Sequence, residues 1–189
     1  MIDKNFLSLD LESAQPSGTI IQVGACIGNL KSGEILEEYS AFIHTDEILS
    51  DFIIKLTGIK QEDVNNGIHL YQAYLRLISM FEHWNCQNRG CVLSWGGGDT
   101  QDLKNQLGLK DYNNKPEPNT WYFGRRWIDV KTLFVAHQWA NEQKHQAGLA
   151  KALTKLGLQF DGRKHDALDD ARNTFLIFRE LIKRMSNEL

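Results

Sequence analysis

Five side chains in this sequence are of the types that bind divalent cations and transfer protons. They are Asp10, Glu12, Asp99, His165 and Asp170. Carboxylate oxygens are the ligands that hard cations such as Mg²⁺ prefer, usually together with waters and substrate phosphate oxygens. Histidine is the side chain that most often acts as a general base near neutral pH. These residue types indicate a divalent-cation site, provided that the fold brings them together.

The first acidic pair lies in a predicted strand. Asp10 and Glu12 follow the apolar run Phe6–Leu9, and strand residues two apart point to the same face. Two unpaired carboxylates buried side by side repel each other, and a divalent cation removes that cost. The alternative is that the strand lies at a sheet edge, where both acids face water.

The other acids lie near predicted helix starts. Asp99 follows the predicted strand 91–95 across three glycines, where it would either face a pocket at the strand end or cap the next helix. His165 precedes a predicted helix whose first turns contain Asp170. A mobile loop could therefore bring the histidine towards an aspartate on a rigid element. The alternative is that His165 is an ordinary surface residue.

The hydrophobic pattern predicts three strands, then alternating helices and strands. The predicted strands are 6–11, 19–27, 34–44, 91–95 and 127–130, and the predicted helices run through 70–81, 99–107, 130–139, 149–156 and 168–185. Short turns between the first three strands imply an antiparallel meander. We therefore predict an α/β fold of the ribonuclease-H-like type, with a mixed five-stranded sheet of three antiparallel and two parallel strands flanked by helices. Residues 1–189 are predicted to form a single domain.

Composition excludes several classes of protein. The 42% hydrophobic and 24% charged residues are ordinary for a globular chain and unlike a disordered one. We expect no membrane span, because no apolar run approaches roughly 20 residues, and no secretory signal. Three cysteines without a CxxC pair suit a reducing, cytoplasmic location, with Cys86 and Cys91 as buried apolar residues. The first 63 residues carry four basic and eleven acidic side chains, whereas residues 125–189 carry twelve and eight, so an acidic pocket could lie beside a basic surface.

Together, these motifs resemble those of the DEDDh 3′-5′ exonucleases, most closely the Eri-type exoribonuclease branch. Five stretches carry the resemblance, which covers about residues 5–184: Asp10-x-Glu12, Leu56–Val64 (LTGIKQEDV), Ser94–Asp99 (SWGGGD), Arg126–Lys131 (RWIDVK) with Gly148–Leu153, and Gly162–Asn173 (GRKHDALDDARN). The chain departs from the branch in Ser13-Ala14-Gln15 and in the loose run Gly96-Gly97-Gly98.

The resemblance implies a catalytic mechanism. Asp10, Glu12, Asp99 and Asp170 would hold two divalent ions, Mg²⁺ or Mn²⁺, and such ion pairs clamp the attacking and leaving oxygens at phosphorus. His165 would be the general base. The product would be a nucleoside 5′-monophosphate released from the 3′ end of a single strand, with RNA as the expected substrate. The alternatives are a single-stranded DNA exonuclease, a short-oligonucleotide or nucleotide phosphodiesterase, and a binding module with an inactive site.

The resemblance also implies substrate contacts. They would come from Leu11, Leu56, Thr57 and Trp95, with Thr57 at the terminal 3′-hydroxyl. Leu56 could equally be a helix-cap contact, and Trp95 could equally pack in the core. A phosphate-binding surface is predicted at Arg125, Arg126, Lys131, Lys164 and Arg172. The expected partners are therefore RNA or DNA 3′ ends; the sequence does not indicate an oligomeric state.

Overall fold

A computed structural model of the protein describes residues 1–86, 91–110, 120–124, 126–143 and 148–187. One mixed sheet contains the strands β1 (Asn5–Ser13), β2 (Ile20–Asn29), β3 (Ile35–Phe42), β4 (Val92–Ser94) and β5 (Ile128–Asp129). Their order is β3-β2-β1-β4-β5. The first three strands are antiparallel, whereas β4 runs parallel to β1 and β5 runs parallel to β4. The predicted α/β fold class is therefore confirmed.

Seven helices lie among the described residues. They are α1 (Asp51–Thr57), α2 (Gln61–Asn65), α3 (Leu70–His83), α4 (Gly98–Gln106), α5 (Val130–Ala140), α6 (Leu149–Lys155) and α7 (Ala167–Asn187). Five of them match predicted helices. The hydrophobic pattern did not indicate α1 and α2, because seven and five residues are too few to show a helical repeat.

The longest helix packs directly on the sheet. Every second residue of β2 faces α7, and two of these residues are glycines. A methyl group at Gly24 would lie 2.1 Å from backbone atoms of Ala167 and Leu168, and one at Gly28 would lie 2.4 Å from the Phe175 ring. Small residues on β2 therefore allow the N-terminal turn of α7 to approach the middle of the sheet.

A second, smaller apolar cluster holds α1 and α2 in place. It contains Ala14, Ile21, Leu49, Ile53, Ile59 and Val64. Ala14 follows the end of β1, and Ile21 lies near the start of β2. This cluster attaches the segment around Leu56 and Thr57 to the end of β1 that carries Glu12. No helix in the described part of the chain is long and apolar enough to cross a membrane.

Candidate active site

Strand β1 places the first acidic pair in the middle of the sheet. It lies third among five strands, between β2 and β4, so the edge-strand alternative is wrong. Asp10 pairs with Gly24 and Glu12 with Gln22, and directly opposed residues of antiparallel strands point to the same face. Because Gly24 contacts the start of α7, Asp10 and Glu12 also face this helix.

The other two acids lie in the first turns of two helices. Asp99 is in α4, whose N-cap is Gly97 without a side-chain cap bond, so the capping alternative for Asp99 is wrong. Asp170 is in the first turns of α7. Each carboxylate is thus carried on a regular element whose start lies beside the sheet, which limits how far it can move.

The histidine lies in the loop that leads into α7. One ring nitrogen of His165, one oxygen of Glu12 and one oxygen of Asp170 all lie within 4.8 Å of one another. His165 is exposed and has a φ of 60°, in the left-handed region. The imidazole therefore approaches the acidic residues from the solvent side.

Burial and mutual repulsion raise the pKa values of the two strand acids. Burial raises the pKa of Asp10 well above its usual value, and the charges of Asp99 and Asp170 raise it further. Burial is also the largest cause that raises the pKa of Glu12 to about 7, and the charge of Asp170 is the next largest. The pKa values show that these carboxyl groups share one poorly solvated region.

The pKa values of the two helix acids, Asp99 and Asp170, are also raised. Burial raises the pKa of Asp99 to about 7, and the neighbouring charge of Asp102 contributes to the rise. Burial raises the pKa of Asp170 to about 6, although a hydrogen bond from the His165 backbone opposes this shift. Ionising all four acids at neutral pH thus requires a nearby positive charge.

The residues present fit a divalent cation. The Oδ1 atom of Asp170 is buried and has no hydrogen-bond partner among the described residues, so this carboxylate lacks a positive or hydrogen-bond-donating partner at that oxygen. The remaining donors are carboxylate oxygens, which suit Mg²⁺ or Mn²⁺ better than softer metals. A bound cation would also supply the positive charge that the four acids require.

A family model described as Exonuclease (RNase_T) matches residues 7–178, which include all five residues of the candidate site. The chain belongs to the DEDDh exonuclease family. The chain is 29% identical over 185 residues to ERI1 exoribonuclease 2 of Mus musculus, with 88% of this chain and 26% of the relative covered. It therefore spans about a quarter of that relative's length.

Two further comparisons agree with this assignment. The chain is 27% identical over 187 residues to the 3′-5′ exonuclease Snipper of Drosophila melanogaster, covering 87% of this chain and 61% of the relative. The solved nuclease domain of 3′hExo, a DEDDh family member bound to rAMP, superposes with a TM-score of 0.77 at 22% identity. That match covers 96% of this chain and 93% of the other, and it shows a common fold.

Sequence reasoning missed the residues that hold the loop that contains His165. The buried Gln22 accepts from the Ala167 backbone N–H at 3.2 Å and donates to Asp166 at 3.3 Å. Asn173, also buried, bonds both backbone groups of Asp161, at 3.1 and 2.8 Å. A glutamine inside the apolar run of β2 was the available signal, because a buried amide needs hydrogen-bond partners.

Arg163 joins this loop to α1. Its guanidinium donates to the backbone carbonyl of Thr57 and lies 4.0 Å from Asp166. The same positive charge lowers the pKa of Glu12, against the larger upward effect of burial. The C-terminal end of α1 is therefore adjacent to the acidic residues.

The predicted substrate contacts differ in their accessibility. Leu56 is 36% exposed, whereas Thr57 is fully buried and its hydroxyl donates to the Ile53 carbonyl at 2.9 Å. Leu11 is partly buried against the main core. Trp95 is also partly buried, with its ring centroid 6.1 Å from that of Phe134. Leu56 is thus the one of the four whose side chain is most open to a substrate.

Only some residues of the predicted phosphate-binding surface are exposed and unpaired in the described part of the chain. Arg126, Lys131 and Lys164 are exposed, but Arg172 is paired with Glu38 and Asp169. Arg125 lies outside the described residues.

Cys86 and Cys91 are buried free thiols, as predicted.

The raised carboxyl pKa values predict how stability depends on pH without metal. Unfolded carboxyl groups titrate near pH 4, so between about pH 4 and 7 the folded chain holds more protons and loses stability as the pH rises. We expect Glu12→Gln in EDTA to have a melting temperature about 5 °C above that of the wild type at pH 7.5, and a smaller difference at pH 4.5. Differential scanning calorimetry at both pH values tests this, and a difference independent of pH would contradict the assigned repulsion.

Proposed function

We propose that this chain is a 3′-5′ exonuclease that releases nucleoside 5′-monophosphates from the 3′ end of single-stranded RNA. The observation that carries the proposal is the close approach of Glu12, His165 and Asp170, whose ligating atoms all lie within 4.8 Å of one another. Asp10 and Asp99 lie near enough for their charges to act on this group. The relatives support the direction and the substrate, since they are named as 3′-5′ exonucleases and exoribonucleases.

In this proposal Asp10, Glu12, Asp99 and Asp170 hold two divalent cations, Mg²⁺ or Mn²⁺. The bound cations supply Lewis acidity at the phosphoryl oxygens. Asp10, on the central strand, is within electrostatic reach of the three other acids, and it is therefore the residue assigned to both ions. Because the carboxylates are held by regular elements, they would hold the cations at a fixed place in the site.

His165 acts as the general base. Its imidazole removes a proton from the attacking water, whose oxygen forms a bond to phosphorus as the bond from phosphorus to the 3′ oxygen breaks. The leaving 3′ oxygen then takes up a proton, so that the shortened strand ends in a 3′-hydroxyl and the released nucleotide keeps the 5′-phosphate. The exposed position of His165 beside Glu12 and Asp170 allows this transfer.

The 3′ end enters along the C-terminal end of α1. Leu56 is exposed there, and the Thr57 carbonyl is held by Arg163, which connects this end to the acidic residues. The Thr57 hydroxyl donates a hydrogen bond within its own helix. We therefore propose that the backbone around Thr57, and not this hydroxyl, contacts the terminal 3′-hydroxyl. Leu11 and Trp95 are proposed as apolar contacts to the last bases. Arg126, Lys131 and Lys164 are proposed to contact phosphates.

One digestion experiment tests the function. A 5′-labelled single-stranded RNA, a DNA of the same sequence and a dinucleotide are incubated side by side with Mg²⁺ or with EDTA. We expect stepwise shortening of the RNA from its 3′ end, nucleoside 5′-monophosphates as products, and no reaction in EDTA. Preference for DNA would indicate a DNA exonuclease, cleavage of the dinucleotide alone a short-oligonucleotide phosphodiesterase, and no cleavage a binding module.

The chemistry of the 3′ terminus gives a further prediction. In this proposal the terminal 3′-hydroxyl lies beside the acidic residues, and a 3′-phosphate would bring additional negative charge towards those carboxylates. We therefore expect an RNA with a 3′-phosphate to be hydrolysed at least about tenfold more slowly than the same RNA with a 3′-hydroxyl, an effect of about 1.4 kcal/mol. Initial rates on the two substrates measure this. Equal rates would exclude the proposed terminus site.

We also propose that residues 1–189 form one domain that acts in the cytoplasm. The support is that all described strands belong to one sheet and that the three cysteines are buried free thiols. A reducing compartment keeps such thiols free. Limited proteolysis of the purified chain and fractionation of cells that express it test these two points.

A further inference from the structure

The interface between β1 and α7 contains two buried hydroxyl groups directly behind the carboxylates. Ser8 and Thr174 are both fully buried. Neither hydroxyl has a hydrogen-bond partner among the described residues, and the same holds for Asp170 Oδ1. A buried polar group without a partner is costly, so native proteins normally satisfy such groups with protein or with ordered water.

The register of β1 against α7 brings these groups together. At one end of the interface the Phe6 and Phe178 ring centroids are 4.9 Å apart. At the other end Asp10 pairs with Gly24, which contacts the start of α7, and one oxygen of Glu12 lies within 4.8 Å of one oxygen of Asp170. Two residues of a strand and four residues of a helix both advance about 6 to 7 Å. Ser8, midway between Phe6 and Asp10, therefore lies opposite Thr174, midway between Asp170 and Phe178.

Three other helical hydroxyls bond their own helix, whereas that of Thr174, like that of Thr100 in α4, has no partner among the described residues. Thr57, Thr154 and Ser186 each donate to the carbonyl four residues earlier, at 2.9, 3.1 and 2.8 Å. Thr174 makes no such bond. Its hydroxyl is therefore free to point into the interface, one helical turn from the Asp170 carboxylate.

We propose that Ser8 and Thr174 are positioning residues for Asp170, a role that rests on the proposed function. Both hydroxyls donate to one buried water, and that water donates to Asp170 Oδ1. A buried water needs about two to four polar partners, and these three groups supply them. The Asp170 carboxylate is thereby held in the orientation in which it ligates the cation.

Cation binding without nucleic acid tests this role independently of hydrolysis. Loss of a residue that orients a metal ligand typically lowers metal affinity about 10- to 100-fold. Isothermal titration with Mn²⁺ is therefore expected to show at least about tenfold weaker binding for Ser8→Ala and for Thr174→Val. Thr174→Ser is the matched control, because it keeps the hydroxyl and loses the methyl group, whereas Thr174→Val keeps the methyl group and loses the hydroxyl. The Thr174→Ser variant should bind Mn²⁺ as the wild type does.

The double variant tests the shared water. If both hydroxyls bind one water, Ser8→Ala with Thr174→Val should weaken Mn²⁺ binding no more than either single change, because each already loses the bridge. Additive effects would overturn the shared water, and Thr174→Val binding within twofold of wild type would overturn the positioning role. A wild-type chain that binds no Mn²⁺ would instead contradict the proposed function itself. Circular dichroism confirms that each variant is folded.

Discussion

Asp10→Asn is expected to lower the exonuclease rate by at least about a thousandfold, or about 4 kcal/mol of transition-state stabilisation. Asp10 lies on the central strand, and the charges of Asp99, Asp170 and Glu12 all act on its carboxyl. An amide at this position removes the negative charge that we assign to both cations. The measurement is single-turnover hydrolysis of a labelled RNA at saturating Mg²⁺, with the variant purified apart from any wild-type enzyme.

Two observations make this result specific. In EDTA the Asp10→Asn chain should melt at a higher temperature than the wild type, because one of the repelling carboxylates is gone. Asp102→Asn is the matched control, since Asp102 is an exposed acid of the same charge on α4. Its rate should stay within about threefold of the wild type. A fully active Asp10→Asn enzyme would exclude the assignment of Asp10 to the cations.

His165→Ala is expected to lower turnover by about 10² to 10⁴, which is the usual contribution of a general base. The affinity for Mg²⁺ should remain within a few fold of the wild type, because the histidine is assigned to the water and the carboxylates to the cation.

The position of His165 makes the opposite result informative. Its ring nitrogen lies close enough to Glu12 and Asp170 to ligate a cation with them. Mg²⁺ titrations of His165→Ala and Asp170→Asn, with exposed His83→Ala as the control, distinguish the two roles. If the His165 and Asp170 variants lose metal affinity equally, His165 is a ligand. If His165→Ala keeps the full rate, another group is the base.

Local sequence patterns were sufficient for most of the fold and for the identity of the acidic residues. The two-residue spacing of Asp10 and Glu12 requires a common face in any strand, and both residues lie in β1. The apolar repeat that starts at Leu168 located the start of α7, and therefore the positions of His165 before it and Asp170 within it. These features depend on short-range geometry, which a sequence specifies directly.

The availability of individual side chains depended on the tertiary structure. Arg172 is of a residue type that often contacts phosphates, but it is paired with Glu38, which lies 134 residues away in the chain. Thr57 is buried because the small apolar cluster packs α1 against the end of β1, and its hydroxyl bonds its own helix. A local pattern contains no information about a partner brought close by packing.

The strand order and the interface behind the site were decided in the same way. By sequence, β1 was compatible with an edge position, and only its pairing with both β2 and β4 gives it a central place in the sheet. No local pattern links Ser8 with Thr174, and we place them opposite each other because α7 packs closely on the strands at Gly24 and Gly28. The sequence by itself thus determined the types and chain positions of the residues that we propose carry the chemistry. The long-range packing of α7 on β1 and β2 decided how those residues are buried, charged and oriented, because these properties depend on neighbours far away in the chain.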